Sequence, residues 1–372
     1  MALLFHPLAL RGLTLANRIA VAPMCQYSAR DGVAQNWHFQ HYGALAASGP
    51  GMVMIEATAV SPEGRISPYD LGLYSDETEA GFTWLVRGVK DLGPSRIAVQ
   101  LGHAGRKAGV ARPWEGGKPL SPDEGGWNRL GPSPLPFAPD WPTPAEADPQ
   151  DLDRLCQSFV QAAVRAVRAG IDAVELHIAH GYLLHQFLSP LSNQRTDSYG
   201  GSLVNRMRFP LAVVAEVRSV LPSDMPLGVR ISATDWIEGG FTLDEALVFV
   251  AKCRNEGIDY VCVSSGGLAP NAKIPIGPGY QLPLAERVRR DTGVPTRAVG
   301  LIASPRQAEA VLAHDQADMV ALGRAFLNDP RWVWRAAQAL DAPFGYAPQY
   351  QRAAPPLWSV EDAMPGNMPE KN

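Results

Sequence analysis

Short, nearly continuous apolar runs that end in small or polar residues recur along the whole chain. IAVAPMCQ (19–26), GMVMIEATAV (51–60), RIAVQLGHAG (96–105) and DAVELHIAHG (172–181) come first. LGVRISATD (227–235), DYVCVSSGG (259–267), TRAVGLI (296–302) and DMVALGRAF (318–326) follow. These runs are rich in β-branched residues and lack the alternation of a strand with one wet face, so they predict parallel strands buried on both sides. Between them lie stretches of helical period, such as LDRLCQSFVQAAVRAVRAG (152–170) and TLDEALVFVAKCRNEG (242–257), each stopped by a glycine before the next strand. Eight such alternations predict an α/β chain closed into a (β/α)8 barrel. An open, doubly wound sheet is the competitor, but no GxGxxG follows the first strand.

Two segments break the rhythm. Residues 112–150 carry ten prolines together with Trp114, Trp127 and Trp141. A loop of that length after the third strand, at the C-terminal face of the barrel, reads as a capping or binding loop. After about residue 345 the chain becomes Pro-rich again. The expected division is a barrel over 1–345 that includes the loop insertion 112–150, an arm over 346–360, and a disordered tail over 361–372.

Composition narrows the function. The chain has 372 residues, which suits one barrel with an insertion, and a formal charge of −4, which argues against a nucleic-acid partner. Four dispersed cysteines suggest reduced thiols rather than a disulfide framework or a metal site, and no apolar run reaches the ~20 residues of a membrane span. A soluble cytoplasmic protein is expected. Of 33 basic residues only six are lysines, and none stands at a strand end, which removes Schiff-base chemistry.

Barrel sites are assembled from strand C-termini. Those ends offer Cys25, Gln26 and Tyr27; Glu56, Ala57 and Thr58; Gln100 and His103; His177, His180 and Tyr182; Arg230; Ser264 and Ser265; Gly300; and Gly323 with Arg324. Glycoside hydrolysis needs two carboxylates flanking one bond, but Glu175 lies mid-strand and Glu56 has no obvious partner. HIAH is suggestive of zinc, but no third ligand accompanies it, so no metal is expected. Gly300 and Gly323–Arg324 stand after the seventh and eighth strands, where barrels commonly hold a phosphate. Arg230, permanently charged and aimed into the mouth, demands an anionic partner.

The segments IAVAPMCQYS, IEATAVSPEGRIS, VQLGHAGRKA, ELHIAHGYLLHQFLSPLSNQRTDSYGGSLVNRMRF, GVRISATD and GRAFLNDPRW together resemble the old yellow enzyme family. The likeness runs from about residue 3 to 358. Cys25 and QYQR (349–352) are similar to the thermophilic-like, xenobiotic-reductase-like bacterial branch. The resemblance implies an FMN-dependent ene-reductase, with FMN held tightly but non-covalently and NADPH or NADH as reductant.

It further implies that Pro23, Met24, Cys25, Ala57, Gln100 and Arg230 contact the isoalloxazine, and that Gly300, Gly323 and Arg324 hold the phosphate. His177 and His180 would bind the substrate's carbonyl or nitro oxygen, Tyr182 would protonate the α-carbon, and Tyr27 would line the pocket. Cys25 would tune the flavin rather than act as a nucleophile. Arg352 and Trp358 would reach a neighbouring subunit's site, which implies a homodimer or tetramer with arm exchange. The substrates implied are electron-poor alkenes. The alternatives are a non-flavin barrel enzyme or another FMN barrel oxidoreductase, such as a dienoyl reductase-like enzyme, but relatives of the latter kind usually carry an iron–sulfur cysteine cluster that these four cysteines do not form.

Overall fold

A computed structural model of the chain describes residues 2–355 and Leu357; Trp358 and the expected disordered tail, 361–372, lie outside the described residues. Each apolar run forms one parallel strand. They are β1 (Ile19–Val21), β2 (Met52–Ala59), β3 (Arg96–Gly102), β4 (Ala173–Ile178), β5 (Leu227–Ser232), β6 (Tyr260–Ser264), β7 (Thr296–Ala298) and β8 (Met319–Leu322). They pair in chain order, and β8 closes onto β1, so the barrel predicted from the spacing is the fold.

The two buried faces of each strand do different work. Val53, Val99, Val174, Val229, Val261 and Val320 point outward and pack beneath the helices. The inward positions form a separate core of Ala20, Met52, Met54, Ala98, Ala173, Tyr260, Met319 and Ala321. The small alanines leave room for large inward groups. Gly228 shows the constraint: a Cβ there would sit 2.1 Å from the Tyr260 ring. An N-terminal hairpin, Leu8–Leu10 with Leu13–Leu15, which the pattern reading missed, plugs the bottom with Leu10 and Leu15.

Inside this core Glu175 and Arg297 form an ion pair in which neither side chain is exposed. Gln100 donates from Nε2 to Glu175 Oε1 at 2.8 Å, and the Arg297 guanidinium lies 5.2 Å from the Tyr260 ring centroid. Shared hydrogen bonds and cation–π contact offset part of the desolvation of both charges.

Helix starts follow their caps. Ser75, Asp148, Thr242 and Ser304 each accept a hydrogen bond from the backbone N–H at the third helical position. The loop 112–150 is mostly irregular, and its backbone is tied down by arginines. Arg129 donates to the carbonyls of Ala108 and Gly109. Arg195 donates to those of Pro132 and Ala147, and Arg106 to those of Leu135, Pro136 and Leu268. This answers where a proline-rich segment's carbonyls find donors.

Candidate active site

Strand register arranges the inward residues at the C-terminal end of the barrel. His177, Arg230, Cys262 and Arg297 are successive partners across β4 to β7. Ala57, Gln100, Glu175 and Gly228 are partners across β2 to β5. Gln100 spends its amide N–H on Glu175, so its Oε1 is the atom left to accept. Arg230 is only 8% exposed, its Nε has no partner, and it makes no ion pair among the described residues. A guanidinium cannot shed its proton to escape burial, so this one calls for an anion.

The histidine pair stands next to it. His177 Nδ1 accepts from the Ala179 N–H, which leaves the ring proton on Nε2. That Nε2 lies 3.3 Å from His180 Nδ1, and His180 Nε2 lies 2.8 Å from Ser264 Oγ. Burial, then the nearby Arg230, pushes both imidazoles well below their ordinary range, and Lys107 adds to the effect. Both rings are therefore held toward the neutral form. His180 adopts a left-handed backbone with φ of 57°, uncommon outside glycine.

Lys107 fixes that conformation. Its Nζ donates to the His180 carbonyl at 2.8 Å and to the Gly267 carbonyl at 2.9 Å, and it sits 5.2 Å from the Tyr182 ring centroid and 4.6 Å from that of Phe137. The sequence reading found no lysine at a strand end. Lys107 begins beyond β3 but folds its amine back into the mouth, and its distance from any apolar run hid it. Burial, with Arg106 adjacent, lowers its pKa to about 8.

Tyr182 packs edge-on to His177 at 4.9 Å. Burial, with Cys25 and Tyr27 nearby, pushes its hydroxyl well above the ordinary range, so it keeps its proton. Tyr27 packs edge-on to Trp114 of the capping loop at 5.8 Å. The loop after β3 thus touches Tyr27 through an aromatic contact, made by a tryptophan that is otherwise exposed.

On the β1 side, Pro23, Met24, Cys25 and Tyr27 are half-buried. Burial, reinforced by Asp70 and Glu56, raises the Cys25 thiol well above its usual range, which keeps it protonated and a poor nucleophile. A bulge in β2 between Ile55 and Ala57 turns Glu56 away from the interior. There it accepts from Tyr42 Oη at 2.7 Å and from the Gln26 N–H at 3.1 Å, and burial raises it to about 8. Gln26 is spent on this side, its amide oxygen accepting from Trp37.

Gly300 has φ of +121° and lies against Gln281, while a Cβ on Gly323 would meet Met24 Sδ at 3.3 Å. Arg324 is exposed and has neither hydrogen bond nor ion pair among the described residues. His103 and His185 serve structure: each accepts a backbone N–H at Nδ1, and His185 also faces Asp235 at 3.0 Å. Arg352 is exposed in a turn, Pro348–Ala353, that stacks through Tyr350 on Trp334 and Arg331. The chain's own fold gives it no contact with the histidines among the described residues. Trp358 lies outside the described residues.

The donor set suits a flavin: an orphaned buried guanidinium for an electron-rich ring edge, a free amide oxygen for a ring N–H, and a glycine-framed rim with a free arginine for a phosphate. Residues 3–342 match the model of the NADH:flavin oxidoreductase / NADH oxidase family, and the chain belongs to it. It is an NAD(P)H-dependent oxidoreductase, and the resemblance to the old yellow enzyme family holds.

Among curated relatives, the NADPH dehydrogenase of Geobacillus thermodenitrificans (strain NG80-2) is 45% identical over 351 residues, covering 94% of this chain and 98% of its own. That of Bacillus subtilis (strain 168) is 41% identical with the same coverage. Among solved structures, morphinone reductase superposes with a TM-score of 0.74 at 30% identity, over 93% of this chain and 92% of its own. A 2-naphthoyl-CoA reductase complex shares the fold, with a TM-score of 0.82 at 24% identity over 91% of this chain, which spans about half its length. Among the described residues, no helix is long and apolar enough to cross a membrane.

Proposed function

We propose that the chain is an FMN-dependent ene-reductase that uses NADPH to reduce alkenes conjugated to a carbonyl or nitro group. The observation that carries this reading is the buried, unpartnered Arg230 one strand away from a neutral histidine pair, with a protonated tyrosine edge-on to that pair. Bound FMN supplies a hydride to the β-carbon of the alkene.

The protein's part is to hold and polarise the substrate. His177 and His180 hold the carbonyl or nitro oxygen by N–H donation, and because both are neutral they stabilise growing negative charge without titrating. Tyr182 donates its proton to the α-carbon. Arg230 would balance negative charge on the flavin ring, Gln100 Oε1 would orient it, and Gly300, Gly323 and Arg324 would hold the phosphate. Pro23, Met24, Cys25 and Ala57 would frame the ring, with Cys25 as a neutral thiol. NADPH and alkene would share the pocket in turn. A cytoplasmic homodimer, in which Arg352 and Trp358 complete the neighbour's pocket, extends the same reading.

The test is direct. Purified protein should carry a flavin visible spectrum, release FMN on denaturation, and oxidise NADPH with 2-cyclohexenone as acceptor. A colourless protein that takes up no FMN overturns the reading.

A further inference from the structure

The hydrogen bonds around His180 leave one proton to be assigned, and the assignment decides whether the histidine pair can hold an oxygen at all. His177 offers Nε2–H, since its Nδ1 is committed to the Ala179 N–H. If His180 carries its proton on Nε2, its Nδ1 accepts the His177 N–H across 3.3 Å, and the pair turns no donor toward a ligand. If His180 carries the proton on Nδ1, two N–H groups converge from atoms 3.3 Å apart and require a shared oxygen acceptor.

The group that chooses is behind the ring. Ser264 Oγ is 2.8 Å from His180 Nε2 and 3.2 Å from Gln281 Oε1. Gln281 is the competing acceptor. Its Nε2 donates to the Val299 carbonyl at 2.9 Å, which fixes Oε1 as the acceptor, and Ser265 Oγ already donates to that oxygen at 2.7 Å. The Ser264 proton thus has two acceptors in reach, of which His180 Nε2 at 2.8 Å is the nearer and Gln281 Oε1 at 3.2 Å already holds one donor. All three residues are at most 5% exposed, so no bulk water competes for these positions.

We propose that Ser264 is a positioning residue that donates to His180 Nε2 and so holds the Nδ1–H tautomer, which completes a two-donor site for one oxygen atom. Ser265 acts behind it by occupying one of the two lone pairs of Gln281 Oε1, the competing and more distant acceptor. The proposal rests on the reading that this pair holds the substrate oxygen, and it adds the element that makes both rings donors. It also yields an outcome that simple packing does not give. Ser265, which touches neither histidine, matters because removing its hydroxyl frees Gln281 Oε1 to draw the Ser264 proton away.

The experiment uses the FMN-loaded enzyme labelled with ¹⁵N-histidine, with long-range ¹H–¹⁵N spectra to read which nitrogen of His180 is protonated. 4-Nitrophenolate, titrated by its long-wavelength absorbance on the flavin, is the oxygen-anion probe. In the wild type and in Ser264→Thr the proton is expected on Nδ1, with similar affinity for the probe. In Ser264→Ala it is expected to move to Nε2, and the probe should bind at least ten-fold more weakly. Ser265→Ala should shift both readouts the same way by a smaller factor.

An unchanged Nδ1–H signal and unchanged affinity in Ser264→Ala overturn the proposal, as does Nε2–H in the wild type. If the wild-type enzyme holds FMN but binds no phenolate, the substrate reading fails. The tautomer spectra of the ligand-free wild type and Ser264→Ala then still decide the role of Ser264.

Discussion

Lys107 Nζ donates to the backbone carbonyl of His180 at 2.8 Å, and His180 is one of the few non-glycine residues in the left-handed backbone region. A single half-buried ammonium therefore holds both this carbonyl and that of Gly267, joining the loops after β3, β4 and β6.

Lys107→Met removes that tie. Phenolate affinity should fall about ten-fold, in line with the loss of charged hydrogen bonds. The lysine also leaves a pH signature. Its pKa in the fold is about 8, against 10.5 ordinarily, so between those values the unfolded chain binds more protons. Its stabilising contribution is fully present above about pH 10.5 and lost as pH falls through about 8. Denaturant unfolding across this range should rise with pH more steeply for wild type than for Lys107→Met; parallel profiles would refute the assignment.

Glu56 gives the opposite slope. Burial lifts it from 4.5 to about 8, so the folded state binds more protons than the unfolded chain between those values. Its contribution is present below about pH 4.5 and lost as pH rises through about 8. Stability of wild type minus that of Glu56→Gln should decline across the window, measured by the same denaturant titration.

The Glu175–Arg297 pair carries a stability prediction. Arg297→Met leaves a carboxylate in the barrel interior and should cost about 3–5 kcal/mol, whereas Glu175→Gln with Arg297→Met should recover most of that. A double-variant loss equal to the sum of the Arg297→Met and Glu175→Gln losses would show that the charges do not interact. Gln100 depends on Glu175 for its orientation, so Glu175→Leu should also weaken flavin binding, read by fluorescence quenching.

Tyr182→Phe should slow alkene reduction about 100-fold or more while flavin reduction by NADPH stays within about two-fold, separated by stopped flow. Because the tyrosine is held well above its ordinary range, the rate should show no loss from its ionisation up to about pH 10.

The barrel was readable because two-sided burial writes itself as uninterrupted apolar runs, and strand ends can then be counted off. His177, His180, Tyr182 and Arg230 stand at those ends, and the fold brings them together. Other features leave no such trace. The β2 bulge inverts which of Glu56 and Ala57 faces inward, and a single inserted residue has no periodicity signal. Lys107 reaches the site by side-chain length, and Gln281 by a helix start far from Ser264 in sequence. Arg297 lies inside an apolar run, where its partner Glu175 is invisible until the strands close. The bottom hairpin is too short to stand out.

The capping loop is held by arginine side chains gripping peptide carbonyls, and every residue type presents a carbonyl. Arg106 and Arg195 lie outside the loop, and Arg129 within it binds carbonyls outside it. Such ties recognise the path of the chain and not its side chains. The loop is thus an interchangeable panel: the side chains it carries, the exposed Trp114 beside Tyr27 among them, are free to be rewritten while the frame that seats them stays the same.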